Sequence, residues 1–382
     1  MLIAHVADTH LGYTQYGLRE REEDFYEAFR EVVERVLEEH VDVLVHAGDV
    51  FHSPKPPIKA LKVAQDAFAR LRERGVKVVA ILGGHDVVRR RALPPLALYE
   101  RFNVRVLTRE NPVAELDEGL AVMGFEHLPA PYWRRAELKR LLARLASRAK
   151  AYRRSVLVLH QAIYPFVPLD YELSVDDLPR GFDYYALGHV HKLTVFRVWG
   201  KPAAYSGSTE VVSVSEVYGG AAEKGFLLVD LSGDEAEVQR VKINSVRPQL
   251  VFEVSANTLN DVLGLVLRRL AVLESGKEPI LHLRVRGELD RRVLERSLSK
   301  KLSGKVLKVR VIAASEEAVE EDVTVEVPSL RGLIKEELGS YADLALALLD
   351  AFSRGGVEEA IAEAERLFKE FKRCREGDSG EA

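Results

Sequence analysis

Short apolar runs alternate with segments of helical hydrophobic spacing along the first part of the chain. The apolar runs stop at glycine or at polar residues, as buried strands do, and they cover residues 2–7, 43–45 and 77–82. Apolar positions recur at helical spacing from Glu22 to Glu39 and again from Ile58 to Gly75. The pattern therefore predicts a repeated strand–loop–helix unit and a sheet covered by helices.

Strand-like segments continue through the middle of the chain. Four apolar segments, 104–107, 120–124, 156–159 and 184–187, are followed by four short segments punctuated by glycine, 194–198, 203–206, 226–230 and 235–242. We expect the four glycine-punctuated segments to complete a second sheet. A basic helix is predicted from about Tyr132 to Lys150, and a solvated face is favoured over a DNA contact because charged helix faces are common.

Pro248 marks a boundary, after which strands and helices alternate as βαβαβ. The predicted divisions are a first domain at 1–247, a second at 248–315, an acidic linker at 316–327, a helical segment at 328–376 and a disordered tail at 377–382. Two apolar stripes run along the helical segment. Two helices of this size bury too little to stand alone, so we expect them to dock on their own chain or on a partner.

Composition narrows the class of protein. At 382 residues the chain is long enough for two or three domains, and 47% hydrophobic residues can supply a sizeable core. The net charge of −4 means that a polyanion would be met by local basic patches or metal ions. A single cysteine, Cys374, fits a reducing cytoplasm, and few Asn, Gln, Met and Cys beside 30% charged residues favour a high-temperature organism. The longest apolar run, Leu344 to Leu349, is too short to cross a membrane, and a strand beginning at Leu2 leaves no room for a signal peptide, so we expect a soluble protein.

Acidic and histidine side chains follow five of the predicted strands. They are Asp8 with His10, Asp49, His85, His160, and His189 with His191. Taken alone, Asp49 after Gly48 is better explained as a turn residue, and the other histidines (His5, His40, His46, His127, His282) are interpreted as ordinary core or surface groups. Together the five strand ends predict a metal site, because ligands gather beyond strand ends in α/β sheets.

The kinds of ligand indicate which metals the site would take. Imidazole with carboxylate suits Mn, Fe or Zn better than Mg or Ca. Without His85, the six remaining candidate ligands still exceed what one ion normally takes from a protein, so two ions sharing one carboxylate are expected. Such a pair neutralises a phosphate, which is the chemistry of phosphoester hydrolysis.

The order of these motifs, D-x-H, G-D, G-x-H-D, H and G-H-x-H, resembles that of the calcineurin-like metallophosphoesterases over about the first 210 residues. Four segments resemble one branch in particular, the SbcD-type DNA double-strand-break repair nucleases, whose archaeal members are the meiotic-recombination nuclease. They are DTHLG at 8–12, GDVFH at 48–52, LHQ at 159–161 and GHVH at 188–191. The resemblance extends over nearly the whole chain, since that family also has a small capping domain and a helical hairpin.

The resemblance implies an α/β fold: a two-sheet metallophosphoesterase sandwich flanked by helices, a βαβαβ capping domain and a C-terminal helical hairpin. It implies a manganese-dependent nuclease with 3′-to-5′ exonuclease and single-strand endonuclease activity, cytoplasmic and nucleoid-associated. Two Mn²⁺ ions would be held, one by Asp8, His10, Asp49 and His191, the other by Asp49, His160 and His189. His85 would act as an acid or transition-state donor and His52 as a phosphate contact, although an ordinary loop histidine is as good an interpretation of His52.

The resemblance also implies macromolecular partners. They are DNA ends, a second copy of the chain in a homodimer, and an SbcC-type coiled-coil ATPase bound by the helical hairpin. The hairpin side chains predicted to bind the ATPase are Tyr341, Leu344, Leu348, Phe352, Ile361 and Phe368. Arg89, Arg90 and Arg91 are the candidate contacts to the DNA backbone, with a solvated turn as the alternative.

One position departs from the family pattern. The family has an asparagine, a ligand of the second ion, where this chain has Gly84. Metal affinity and phosphate positioning should both weaken as a result. One alternative is therefore a DNA-end-binding and ATPase-anchoring subunit with weak catalysis. A small-molecule phosphodiesterase is the other alternative, because the metal motif is shared across the superfamily.

Overall fold

The computed structural model divides the chain into two compact units, Met1–Thr324 and Val325–Ala382. The residues it describes are 1–87, 93–129, 133–218, 223–255, 259–273, 275–286, 291–313, 342–348, 350–351 and 361–368.

The first unit contains seventeen strands and five α-helices within its described residues. The strands are β1 (Leu2–Val6), β2 (Val43–His46), β3 (Lys77–Ile81), β4 (Val104–Leu107), β5 (Val113–Glu115), β6 (Leu120–Gly124), β7 (Arg154–His160), β8 (Ile163–Tyr164), β9 (Leu173–Ser174), β10 (Tyr184–Gly188), β11 (Thr194–Val198), β12 (Lys201–Tyr205), β13 (Gly225–Asp230), β14 (Glu237–Lys242), β15 (Gln249–Ser255), β16 (Ile280–Arg286) and β17 (Lys308–Ala313). The helices are α1 (Arg19–Glu38), α2 (Ile58–Glu73), α3 (Arg135–Ala149), α4 (Leu259–Ala271) and α5 (Arg291–Lys301).

Two six-stranded sheets face each other across a shared apolar core. One has the order β14-β13-β1-β2-β3-β4 and the other β11-β12-β10-β7-β6-β5. Alternate side chains divide between two cores: Val43 and Val45 of β2 pack with Val156 and Val158 of the second sheet, whereas Leu44 packs in the helix-covered core. The predicted two-sheet α/β architecture is confirmed.

The prediction for β13 and β14 was wrong. β13 pairs antiparallel with β1, and β14 with β13, so both strands belong to the first sheet instead of the second. Both faces of β13 are covered, because Phe226 and Leu228 enter the helix-side core while Leu227 and Val229 enter the core between the sheets. Without this pairing, β1 would be an open sheet edge.

A three-stranded parallel sheet, β15-β16-β17, follows with its own apolar core. The predicted βαβαβ order is observed, since α4 and α5 lie between consecutive strands. A buried ion network joins this part to α1. The Asp24 carboxylate accepts from Arg21 Nη1 at 2.6 Å, Arg247 Nε at 2.6 Å and Lys277 Nζ at 2.8 Å. Asp24 and Arg21 are almost wholly inaccessible to solvent, so this network ties the first helix rigidly to the chain around Pro248.

In the second unit, residues 342–348, 350–351 and 361–368 are helical. Leu344, Ile361 and Phe368 are 45%, 54% and 61% exposed, and Leu348 is half-buried. Tyr341 and Phe352, the other two predicted partner contacts, lie outside the described residues. Every helix in the described part of the chain is too short or too polar to cross a membrane.

Candidate metal centre

The carboxyl ends of β1, β2, β3, β7 and β10 converge at one edge of the sandwich. Because these strands run parallel within their sheets, the residues that follow them reach the same place. Asp8, His10, Asp49 and His160 are buried there, and His52, His85, His189 and His191 are half-buried at its rim. Two sheets therefore supply one cluster of acidic and imidazole side chains.

Three groups of potential ligands have their donor atoms within 4.8 Å of one another among the described residues. They are Asp8 with His10 and His191, Asp8 with Asp49 and His160, and His10 with His52 and His85. Asp49 Oδ2 lies 3.1 Å from His160 Nε2 and 4.0 Å from His10 Nε2. A carboxylate oxygen that faces both imidazoles is suitably located to be shared by two ions.

Backbone geometry at the strand ends is unusual and favours glycine neighbours. Asp8, His10 and Asp49 have φ of 52°, 42° and 55°, a left-handed conformation that costs free energy in non-glycine residues. A Cβ on Gly48 would lie 2.5 Å from His160 Nδ1, and one on Gly83 would lie 2.1 Å from Asp49 Oδ1. The glycines of the G-D and G-x-H-D motifs thus leave room for the ligands themselves.

Each central side chain is oriented by a hydrogen bond on its outer side. His160 Nδ1 donates to the carbonyl of Ala47 at 2.8 Å, and His191 Nδ1 donates to Glu216 Oε1 at 3.1 Å. Asp49 Oδ1 accepts from the backbone N–H of His85 at 2.9 Å. When Nδ1 carries the proton, Nε2 presents its lone pair to the centre, which is the usual arrangement of metal-binding histidines.

Glu216 is in turn held by Lys224. The Lys224 ammonium contacts the Glu216 carboxylate and donates to the carbonyl of His191 at 3.0 Å. Burial opposes ionisation of Glu216, but Lys224 and His191 outweigh it and lower the pKa of the carboxyl to about 2. Glu216 is therefore a carboxylate at neutral pH and can accept the hydrogen bond that orients His191.

The electrostatics of the centre favour a cation. Burial lowers the pKa of His160, but Asp49 and Asp8 outweigh burial and raise it to about 10. His160 Nε2 is buried without a hydrogen-bond partner, although Asp49 Oδ2 is close to it. The two carboxylates thus attract a positive charge at His160 Nε2, and a divalent metal ion can supply that charge in place of the proton.

Asp86 organises the loops around the centre. Its carboxylate accepts from the backbone N–H groups of Val50 at 3.0 Å, Phe51 at 2.9 Å and Gly83 at 3.1 Å. Burial, with the nearby charge of Asp49, raises the pKa of Asp86 to about 7. These bonds fix the loop after β2 against the loop after β3, which sets the distance between Asp49 and His85.

His85 and His52 lie over the cluster. His85 Nδ1 donates to the carbonyl of His52 at 2.9 Å, and the two rings stack with centroids 5.0 Å apart. Tyr13 stacks on the other face of His52 at 3.8 Å, and the His85 ring contacts that of His10 edge-on at 4.8 Å. The remaining nitrogen of His85, Nε2, is then available for a proton or a hydrogen bond.

Of the other predicted site residues, one lies at the edge of the cluster and three lie outside the described residues. The backbone N–H of His189 donates to Asp8, while its imidazole lies 5.4 Å from the His160 ring by centroids and outside the three closest groups. Arg89, Arg90 and Arg91 lie outside the described residues. His5, His46 and His282 hydrogen-bond to Tyr184, Thr9 and Gln249, as ordinary core histidines do.

Glu216, Lys224 and His127 lie around the cluster without having been anticipated from the sequence. Glu216 is in a 3₁₀ helix 25 residues after His191 and belongs to none of the motifs. His127 follows β6 and was interpreted as an ordinary histidine, yet its ring lies 5.7 Å from that of His160 and 5.9 Å from that of His189. None of these three residues belongs to a sequence motif that would have indicated that it lies near the cluster.

Comparisons with known proteins show which family the chain resembles. Residues 1–193 match the family model described as calcineurin-like phosphoesterase. The chain is 34% identical to the DNA double-strand break repair protein Mre11 of Methanocaldococcus jannaschii, over 92% of this chain and 94% of the relative. It is 31% identical to the protein of the same name from Thermoplasma acidophilum, over 95% and 97%. A solved dimetal phosphatase from Danio rerio aligns with 64% of this chain and 98% of its own, at 12% identity and a TM-score of 0.42.

Proposed function

Because this chain belongs to the calcineurin-like phosphoesterase family, and within it to the Mre11 family of DNA double-strand break repair proteins, we propose that it is a DNA nuclease that hydrolyses phosphodiester bonds at a two-metal centre. The observation that carries the proposal is the position of Asp49 Oδ2 between His160 Nε2 and His10 Nε2. A shared carboxylate between two sets of imidazoles is what a pair of ions requires.

The proposed ligands divide into two sets around Asp49. One ion would be held by Asp8, His10, Asp49 and His191, and the other by Asp49, His160 and His189. When bound, two such ions supply an activated hydroxide and neutralise the phosphate. Mixed imidazole and carboxylate ligands suit Mn, Fe or Zn, and of these we propose manganese, the ion that the resemblance to the SbcD-type nucleases implies.

His85 would move the proton that the leaving oxygen needs. Its Nδ1–H is bound by the His52 carbonyl, so a second proton on Nε2, present when the ring is an imidazolium, is the one that would pass to the leaving oxygen or bind the phosphate in the transition state. His52, stacked between Tyr13 and His85, would be a second phosphate contact. The bond cleaved is the P–O bond to the leaving oxygen, and water supplies the new one.

The experiment is cleavage of DNA by the full chain with Mn²⁺. A 5′-labelled duplex should give the ladder of a 3′-to-5′ exonuclease, and circular single-stranded DNA should be nicked as by an endonuclease. His85→Gln should lower the rate by about 10²–10⁴-fold, the usual contribution of a general acid. His40→Asn is the matched control, because His40 is exposed, belongs to none of the motifs, and has a left-handed backbone that asparagine tolerates. Equal rates for His85→Gln and the unsubstituted chain would contradict the assignment.

The proposed partner is an SbcC-type ATPase, bound by the second unit. Support comes from the apolar side chains of its helical residues, since Leu344, Ile361 and Phe368 are exposed to between 45% and 61%. Apolar helix faces commonly bind in grooves of partner proteins. Full chain should retain the ATPase in a pull-down, and Ile361→Asp or removal of residues 328–382 should not. Retention by the truncated chain would contradict this part of the proposal. We also propose a homodimer and nucleoid association.

Gly84 favours a second candidate function, a DNA-end-binding and ATPase-anchoring subunit with weak catalysis. A glycine offers no side chain at the position where the family pattern has an asparagine ligand. In that case Gly84→Asn should raise the cleavage rate sharply while DNA binding stays unchanged. An unchanged cleavage rate would count against this candidate.

A further inference from the structure

The space beside Gly84 is filled by another potential ligand. A Cβ placed on Gly84 would lie 3.6 Å from His127 Cδ2 and 4.0 Å from His127 Nε2, an ordinary van der Waals distance. The backbone of Gly84 is not in the left-handed region, unlike that of Gly48. The imidazole of His127 therefore stands next to the location that a side chain at position 84 would enter.

His127 is fixed in this position from both sides of the sandwich. Its backbone N–H donates to the carbonyl of Leu82 at 2.7 Å, at the end of β3, and its Nδ1 donates to the carbonyl of His160 at 2.6 Å. The side-chain amide of Gln161 accepts from Leu128 N at 2.9 Å and donates to Leu128 O at 3.0 Å. The residue is thus held at the ends of β3 and β7, the strands that precede Gly84 and contain His160.

The hydrogen bond to His160 O also fixes the tautomer of His127. A carbonyl only accepts, so Nδ1 carries the proton and the neutral ring has its lone pair on Nε2. A ring whose Nδ1–H binds a backbone carbonyl and whose Nε2 is a lone pair is the common state of metal-binding histidines. Glu172 Oε1, 4.0 Å from His127 Nε2, adds negative charge on that side.

Three imidazole rings lie close together beside Gly84. The ring centroids of His127, His160 and His189 are 5.4–5.9 Å apart. With a metal–nitrogen bond of about 2.1 Å, imidazoles that share an ion stand roughly 5–6 Å apart between ring centres. Their donor nitrogens are not among the groups that lie within 4.8 Å of one another, so an ion at this place would turn the His127 and His189 rings towards it on binding.

We propose that His127 is the fourth protein ligand of the second ion. It would take the place of the asparagine ligand that the family pattern has at the position of Gly84. This inference rests on the proposed two-metal function and deepens it. It makes the second site Asp49, His127, His160 and His189, so the glycine is compensated and does not by itself indicate weak catalysis. The absence of a side chain at position 84 then leaves room for the His127 imidazole to reach the ion.

Mn²⁺ binding to the full chain tests this without any DNA. Apo protein prepared with a chelator would be titrated with Mn²⁺ by calorimetry, and electron paramagnetic resonance would report whether bound ions form a magnetically coupled pair. The unsubstituted chain should bind two ions and give the coupled signal. His127→Ala should weaken the second ion by at least about tenfold, the loss typical of a missing ligand or its close support, with an isolated-ion signal remaining.

Gly84→Asn together with His127→Ala provides the second variant. Removing His127 opens the space into which the asparagine would extend, so the double variant should regain the second ion and the coupled signal. Regain would also exclude misfolding as the cause of the loss in His127→Ala. His40→Asn, at an exposed histidine, should bind like the unsubstituted chain.

Three outcomes would overturn the proposal. One is an unchanged second affinity in His127→Ala, the second is no regain in the double variant, and the third is a single ion in the unsubstituted chain that becomes two in Gly84→Asn. These outcomes differ from a failure of the proposed nuclease function, which would appear as two bound ions without DNA cleavage.

Discussion

The Glu216→Gln substitution tests whether the outer contacts of the metal centre contribute to ion binding. Glu216 Oε1 accepts from His191 Nδ1 at 3.1 Å and from the backbone N–H of Ser213 at 2.7 Å, and its other oxygen contacts Lys224. A glutamine retains an acceptor for His191, but it places an amide N–H₂ against the Lys224 ammonium and removes the negative charge. Two donors then face each other in a buried site.

The expected magnitude follows from the role of such outer partners. Removing one typically lowers metal affinity by about 10–100-fold, which corresponds to about 1.4–2.7 kcal/mol. We expect a value near the upper end for the ion held by Asp8, His10 and His191, because both the charge and the donor–acceptor match are lost. The ion on the His160 side should keep its affinity, because the described hydrogen bonds of Glu216 go to residues other than His160 and His189.

Calorimetric titration of apo protein with Mn²⁺ measures the two affinities. Glu223→Gln is the matched control, since Glu223 is exposed, pairs only with Arg240 among the contacts described, and lies next to Lys224 in the chain. Adding Lys224→Met to Glu216→Gln removes the clash between donors and should recover part of the loss. Unaltered binding of both ions by Glu216→Gln would refute the reasoning that His191 is oriented through its Nδ1.

Three further predictions concern stability and metal removal. Asp24→Asn should lower the free energy of unfolding by about 3 kcal/mol in a urea titration, because it removes the buried negative charge that Arg21, Arg247 and Lys277 share. A loss no greater than that of the exposed-pair variant Glu38→Gln would contradict this. Burial, with Arg310 nearby, lowers the pKa of His282 from 6.5 to about 3, so the stability that depends on its neutral ring is complete above pH 6.5 and is lost as the pH falls towards 3. At pH 5 this costs about 2 kcal/mol, and His282→Gln should show a smaller fall in unfolding temperature between pH 7.5 and 5 than the unsubstituted chain, an equal fall being the contrary result. Chelation should lower the unfolding temperature of the unsubstituted chain but leave that of Asp49→Ala unchanged, since without the shared carboxylate neither ion should bind and stabilise the fold; an equal decrease in both would argue against sharing.

The convergence of the strand ends could be predicted from the sequence because it depends on local signals. Asp8, Asp49 and His160 each follow or end a short apolar run, and parallel strands bring such positions to one edge. The same logic failed for β13 and β14, whose short, glycine-punctuated segments contain no information about which sheet they join. Only the pairing of β13 with β1, more than 200 residues apart in the chain, decides it.

The supporting residues could not have been predicted, since their roles depend on tertiary contacts. Glu216 reaches His191 from a 3₁₀ helix, and His127 reaches His160 through a backbone carbonyl. A histidine in the sequence segment after β6 has no spacing relation to the motif histidines. Its relation to Gly84 becomes visible only once the ends of β3 and β7 are next to each other.

The central claim, that Asp49 is shared by two ions, is tested most directly by anomalous scattering at the manganese edge from a crystal soaked in Mn²⁺. The account predicts two peaks roughly 3.5–4 Å apart on either side of the Asp49 carboxylate. One peak should contact Asp8, His10 and His191, and the other His160, His189 and His127. A single peak, or two peaks of which only one contacts Asp49, would contradict the account.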